Sequence, residues 1–236
     1  MLYRAKYITG EGMWNAGMYS NMNFPAPASV LGMLAAAGGL FLVAVAMVVL
    51  LAMHKKNALL TLLRLTGAGA FVYAALLLGF SLASHKTVLA RGQEKYFCEI
   101  DCHLAYSIAD VRSSEVGDKT HLAITVRTWF DQSTISPQRP RDLPLIPNGR
   151  WARLVDADGR EYGATGSSGT PFSAALKPGE SYLTTLAFEL PGRVDAMKLR
   201  LLLTSQGWEE RVMIGDENSC LHAKTYFALN LMGQRL

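Results

Sequence analysis

SVLGMLAAAGGLFLVAVAMVVLLAM, residues 29–53, and LTGAGAFVYAALLLGFSLAS, residues 65–84, hold no Asp, Glu, Lys or Arg and are mostly apolar. At 1.5 Å per residue a helix over either run approaches or exceeds the roughly 30 Å hydrocarbon core of a bilayer. Two transmembrane helices are therefore expected, joined by HKKNALLTLLR at residues 54–64. A cleaved signal peptide fits poorly, because its apolar region should follow soon after a basic start. Here that region begins near residue 29, so Met1 is expected to stay on the mature chain.

The chain has 236 residues, 50% of them hydrophobic and 18% charged, with a net charge of +4. That excess lies near the spans, where Arg4, Lys6, Lys55, Lys56 and Arg64 face Glu11, and it leaves the rest of the chain balanced. A basic stripe for nucleic acid has no net excess behind it. The Arg139, Arg141 and Arg150 group in a Pro-rich stretch reads as a solvated loop. Lys55, Lys56 and Arg64 make the connector the most basic juxtamembrane segment, which favours a cytoplasmic connector. The expected location is a bacterial inner membrane, multi-pass, with both termini and the C-terminal domain in the periplasm.

No ionisable residue lies in the middle of a span, which argues against a proton relay, an ion path or a transporter. His54 and His85 fall at the span ends. Small residues recur at four-residue spacing: Gly32 with Ala36, Ala35 with Gly39, and Thr66 with Ala70 and Ala74. Such stripes let helix backbones approach closely, within the hairpin or against another membrane subunit. Before the first span, residues 1–28 form an N-terminal segment whose Trp14, Tyr19 and Phe24 suit a membrane interface or a partner surface.

After a linker at 85–95 the apolar period changes to two. Leu122, Ile124, Val126, Thr128 and Phe130 alternate with polar residues. So do Tyr182, Leu186, Phe188 and Leu190, and then Leu199, Leu201 and Leu203. Leu104, Tyr106 and Ile108 open this series, and Ala223 to Leu229 closes it. These are half-buried strands, separated by turn signals at Asp158-Gly159, Pro178-Gly179 and Pro191-Gly192. About seven short strands predict a β-sandwich over residues 96–230, with a tail at 231–236. The fold class expected is two transmembrane α-helices plus an all-β sandwich.

Three segments carry a resemblance. LVDADGREYGAT at 154–165, LKPGESYLTTLAFELP at 176–191 and MKLRLLL at 197–203 resemble the bacterial membrane-anchored immunoglobulin-like domains of unknown function. The resemblance implies an immunoglobulin-like sandwich, and fold alone does not imply an activity. The lipoprotein signal usual in that family is replaced here by the two spans.

Cys98, Cys102 and Cys220 are the three cysteines, in CEIDCH at 98–103 and CLH at 220–222. Four arrangements are open. The leading one is a disulfide from Cys98 or Cys102 to Cys220. The others are a local Cys98–Cys102 bridge, covalent haem c through CEIDCH with His103 as axial ligand, and a zinc or copper site from Cys98, Cys102, His103, Cys220 and His222. Haem attachment normally uses two intervening residues between the cysteines, and here there are three. No phosphate loop, dinucleotide fingerprint, H-E-x-x-H or nucleophile elbow is present. Gly166-Ser167-Ser168-Gly169 reads as a flexible loop tip, and the paired acids Asp156 with Asp158 and Glu209 with Glu210 read as solvated. Trp129, Trp151 and Trp208 could form a recognition face, though most such residues belong to a core or a rim.

The functional expectation is a non-catalytic accessory subunit. It would brace a larger, energy-transducing membrane complex, photosynthetic (reaction-centre and light-harvesting) or respiratory, with other integral membrane subunits and lipid as partners. The alternatives are a redox or metal-handling subunit built on CEIDCH, or an envelope ligand-binding protein.

Overall fold

The computed structural model describes residues 19–98, 102–135, 139–140, 142–192 and 198–229. Two 27-residue helices, α1 (Ala26–Ala52) and α2 (Lys56–Leu82), form a hairpin. Both are long and apolar enough to cross a membrane, and almost none of their apolar windows is buried. α1 starts where it does because Pro25 stands at the N-cap and the first turn carries a proline, whose missing N–H costs nothing there. The helices turn over Met53 to Lys55, and His54 takes a positive φ of 54°.

The small-residue stripes divide between two faces. Gly32, Ala36 and Gly39 are half-buried on α1, in register with Val43, Ala46, Met47 and Leu50. Thr66 is half-buried on α2 with Leu59, Leu62, Tyr73 and Leu77. Ala35, Ala70 and Ala74 are exposed. A Cβ built on Gly32 or Gly39 would meet open space, so these glycines do not mark a close helix crossing within the hairpin.

The remaining elements form a β-sandwich. One sheet has six strands in the order β1 (Tyr19–Ser20), β3 (Lys95–Phe97), β4 (Leu104–Val116), β5 (Lys119–Phe130), β9 (Ser181–Pro191) and β8 (Gly166–Gly169). The other has five, in the order β2 (Thr87–Leu89), β11 (Thr225–Ala228), β10 (Arg200–Ser205), β6 (Arg150–Val155) and β7 (Glu161–Gly163). The alternating residues Leu122, Ile124, Val126, Phe130, Leu186, Phe188, Leu190, Leu199, Leu201 and Leu203 interdigitate between the sheets with Tyr106, Leu154 and Phe227. Burying one face of each strand is what makes the period-two pattern fold this way.

Three expectations about boundaries change. Of the expected connector at 54–64, residues 56–64 belong to α2, which places Arg64 two turns into the helix. The stretch 85–95 is no plain linker, because β2 pairs parallel to β11 and ties the chain to the sandwich just after α2. The segment before α1 also contributes, since β1 pairs parallel to β3. GSSG at 166–169 is not a loop tip either. It is strand β8, antiparallel to β9 from Gly166↔Ala187 to Gly169↔Thr184.

Strand direction fixes which loops lie beside the helices. β1 leads into α1, so β1 and its parallel neighbour β3 finish at the helix end. β2 leaves α2, so β2 and parallel β11 start there. Alternating antiparallel pairs carry this through both sheets. The described residues 102–103, 131–135, 142–149, 170–180 and 206–224, which connect these strands, therefore all sit at the helix end of the sandwich.

Candidate functional site

The richest chemistry among the described residues lies where the helices meet the sandwich. The β10–β11 connection, including a 3-10 turn at Glu209–Val212, runs along α2 and across the start of α1. Ser29 Oγ donates to the Ile214 carbonyl at 2.8 Å. Ser81 and Ser219 share a buried hydroxyl pair at 2.9 Å, and Ser84 Oγ accepts from the Ala223 N–H at 2.7 Å. Tyr73 donates its hydroxyl to the Val212 carbonyl at 2.7 Å, well down α2. Asn23 Nδ2 donates to the Phe80 carbonyl, and Phe24 meets Phe80 edge to face at 4.7 Å. Gly215 has φ +77°, and a Cβ there would collide with Phe24, so only glycine fits that crossing.

An apolar cluster of Met22, Ala26, Tyr96, Cys98, Ala105 and Met213 fills the space below the first sheet, with Val30 and Met33 of α1 packed against it. Serine hydroxyls and this cluster together weld both helix ends to the sandwich. A flexible tether would need neither.

Above the weld lies a buried polar network. Asn21 uses every group it has: Nδ2 donates to Asp216 Oδ2 at 2.8 Å and to the Cys98 carbonyl, Oδ1 accepts from the Cys98 N–H, and its carbonyl accepts from the Glu217 N–H. The Lys95 ammonium, fully buried, contacts Glu217 Oε1 at 2.5 Å and donates to the Leu203 carbonyl at 2.8 Å. Burial holds the Lys95 ammonium below its usual range, with Glu217 pulling it back up. Burial pushes the Asp216 carboxyl up to about 8, against the backbone N–H of Asn218 that stabilises the charged form. Glu210 is raised by burial, and Lys224 and His222 are lowered by it. Glu210, expected in solvent, is buried and accepts from Asn218 Nδ2.

The cysteine arrangement differs from the leading expectation. Cys98 bonds to Cys102, and Cys220 is a free, exposed thiol. The physical reason is placement: Cys98 follows β3 and Cys102 precedes β4, with their Cα atoms 4.2 Å apart, while Cys220 lies before β11. With both sulfurs joined, neither thiol of CEIDCH is free for a haem thioether or for a metal. His103 Nδ1 instead meets Thr134 Oγ1 at 2.6 Å, and its ring stacks on Phe130. His222 Nδ1 meets the Ala223 carbonyl at 2.7 Å. Among the described residues no three His, Cys, Asp or Glu gather as metal ligands.

Tyr19 lies in β1, and Phe24 packs on Phe80, so both serve the junction; Trp14 is outside the described residues. Arg150 is the first residue of β6, buried, with its guanidinium over Phe97 at 4.2 Å. It does not belong to a solvated loop patch. A second candidate place is an open cleft of about 510 Å³ at the far edge of the sandwich, lined by Trp151, Arg153, Ser167, Phe172 and Thr184. A smaller cleft of about 280 Å³ at the junction is lined by Asn23, Ser84, His85, Glu217 and His222.

No known family profile and no curated protein matches the chain. Two solved structures are faintly similar. A secreted protein of Mycobacterium tuberculosis shares 13% identity at a TM-score of 0.40, over 61% of this chain and 98% of that one. An uncharacterised β-sandwich protein of Clostridium difficile shares 11% at 0.35, over 62% and 96%. Scores this low carry no argument, and the sandwich stands on its own strand pairing. Nothing among the described residues supports a photosynthetic host.

Proposed function

We propose that this chain is a non-catalytic accessory subunit of a larger bacterial membrane complex. Its helices cross the inner membrane, with Lys55 and Lys56 on the cytoplasmic side, and its sandwich, immunoglobulin-like in kind, stands in the periplasm. One observation carries the reading. Both helix ends are fastened to the sandwich by buried hydrogen bonds, while most of the remaining helix surface, outside the Lys56 to Arg64 turns of α2, is apolar and uncovered. A rigid post of this kind transmits position from the membrane to the outer face, which is what a bracing subunit does. The disulfide suits an oxidising compartment and agrees with a periplasmic sandwich.

Blue-native electrophoresis of gently solubilised membranes tests the subunit role. The chain should migrate within an assembly much larger than its own 25.8 kDa. Migration as a free monomer would count decisively against it. An envelope receptor is the second reading, favoured by the open cleft beside Trp151 and Phe172. It predicts a monomer that retains a small ligand on purification.

A further inference from the structure

We infer that the helix end of the sandwich rests in the outer phospholipid interface, with Trp208, Val212 and the Leu143–Ile146 segment seated at headgroup level. This rests on the helices crossing the membrane, and adds that the sandwich touches lipid directly instead of standing clear of it.

Two independent rulers place the boundary at one level. On α2, Lys56 to Tyr73 spans about 26 Å at 1.5 Å per residue, with exposed Arg64 about 12 Å from Lys56 and its long side chain snorkelling toward the cytoplasmic headgroups. Tyr73 then donates its hydroxyl to the Val212 carbonyl of the sandwich. On α1, Ala52 back to Met33 spans about 28 Å, and Met33 packs against the sandwich cluster. Each uncovered length is close to the roughly 30 Å of a hydrocarbon core. The sandwich thus begins where the apolar slab ends, and the last turns of both helices are clasped by protein.

The surface at that level has the composition of an interface belt. Trp208 is 76% exposed, Ile146 71%, Leu143 51% and Val212 41%. All four lie in connections that strand direction assigns to the helix end. Exposed Arg211 sits between Trp208 and Val212 in sequence and supplies a cation for lipid phosphate. Amphipathic aromatic and basic side chains gather at this depth in membrane proteins. The opposite end of the sandwich is built differently, with the Val116-Gly117-Asp118 and Asp156–Arg160 hairpins.

The test uses the full chain in phosphatidylcholine vesicles, in a C220S background so that each added thiol is the sole reactive one. Nitroxide labels go on V45C in the middle of α1, V212C and W208C on the rim, and V116C at the far end. Power-saturation measurements compare accessibility to oxygen, which partitions into lipid, with a water-soluble nickel chelate. Position 45 should be lipid-buried, position 116 aqueous, and positions 208 and 212 should show an oxygen-to-nickel ratio several-fold above that at 116. If 45 is buried but 208 and 212 match 116, the rim inference falls and the spans stand. If 45 is aqueous, both fall. An unlabelled readout guards against label effects: W208F should remove part of the tryptophan emission quenched by brominated lipid, and an unchanged quenched fraction would overturn the seating of Trp208.

Discussion

The fold strongly disturbs the ionisation of Asp216. Its carboxyl is pushed up to about 8 from an ordinary value near 3.8. A carboxyl raised on folding contributes stability that is whole below the unfolded pKa and is lost as pH rises through the folded one. Thermal midpoints should therefore fall between about pH 4 and pH 8 by an amount that D216N removes, since the amide never ionises. Lys95, Lys224 and His222 are shifted down and act in the opposite sense, so the comparison between wild type and variant isolates the aspartate. The Lys95–Glu217 pair predicts a different pattern. K95M alone strands a buried carboxylate and should cost about 3–5 kcal/mol, whereas the double change K95M/E217L should recover most of it. Denaturant midpoints check this, and an equal loss in both variants would refute it. Neither residue was legible in the sequence. Lys95 falls in the stretch read as a linker, and no pattern in the sequence singles out Glu217. A buried charge is declared only by its partner, here 122 positions away.

At the scale of elements, alternation did most of the work that sequence can do. Leu122 to Phe130, Tyr182 to Leu190 and Leu199 to Leu203 became β5, β9 and the run into β10, because each buries one face on the other sheet. β8 was illegible: Gly-Ser-Ser-Gly has no apolar face, and only the edge of β9 makes it a strand. The cysteines show the same limit from another side. Spacing left four arrangements open, and the choice of Cys98–Cys102 depends on the pairing of β3 with β4, which brings the two residues together. A loop this short restricts the unfolded chain less than one reaching Cys220 would. Removing the bridge with C98S/C102S should cost about 2 kcal/mol, against 4–5 for a loop of some 120 residues. Because Cys98 and Cys102 pack beside Val30 and Met33 of α1, the loss should appear as loosening of the junction, read by hydrogen exchange at Asn21 to Phe24. On the helices, outward Ala35, Ala70 and Ala74 offer a smooth face to a neighbour. A70L/A74L should leave the purified chain as stable as wild type and deplete it from any large assembly on native gels. Unchanged assembly would remove these alanines from the subunit interface.

Taken whole, the molecule is one structure across a boundary that its sequence presents as two. The composition break near residue 85 separates an apolar hairpin from an alternating domain, and it invites the view of a domain on a leash. The strands contradict that view, because β1 precedes the hairpin and β2 follows it, and each caps an edge of a different sheet. Cutting the chain at residue 86 would keep β2 and lose β1. The exposed edge of β3 would then offer unpaired backbone groups to other copies. The Cys98 N–H and Asp216 would lose Asn21, while Ile214 and Ser219 would lose their serine partners on the helices. Met213 and Tyr96 would face water without Met22, Ala26, Val30 and Met33. The fragment 86–236 should consequently unfold well below the full chain in detergent, and should self-associate through β3, as read by light scattering and by calorimetry. Adding a peptide covering residues 19–25 should restore part of the loss by refilling the β1 edge and the Asn21 network. A monomeric fragment with the full chain's midpoint would mean that the helices and the sandwich are independent bodies, and the bracing role would lose its mechanical basis.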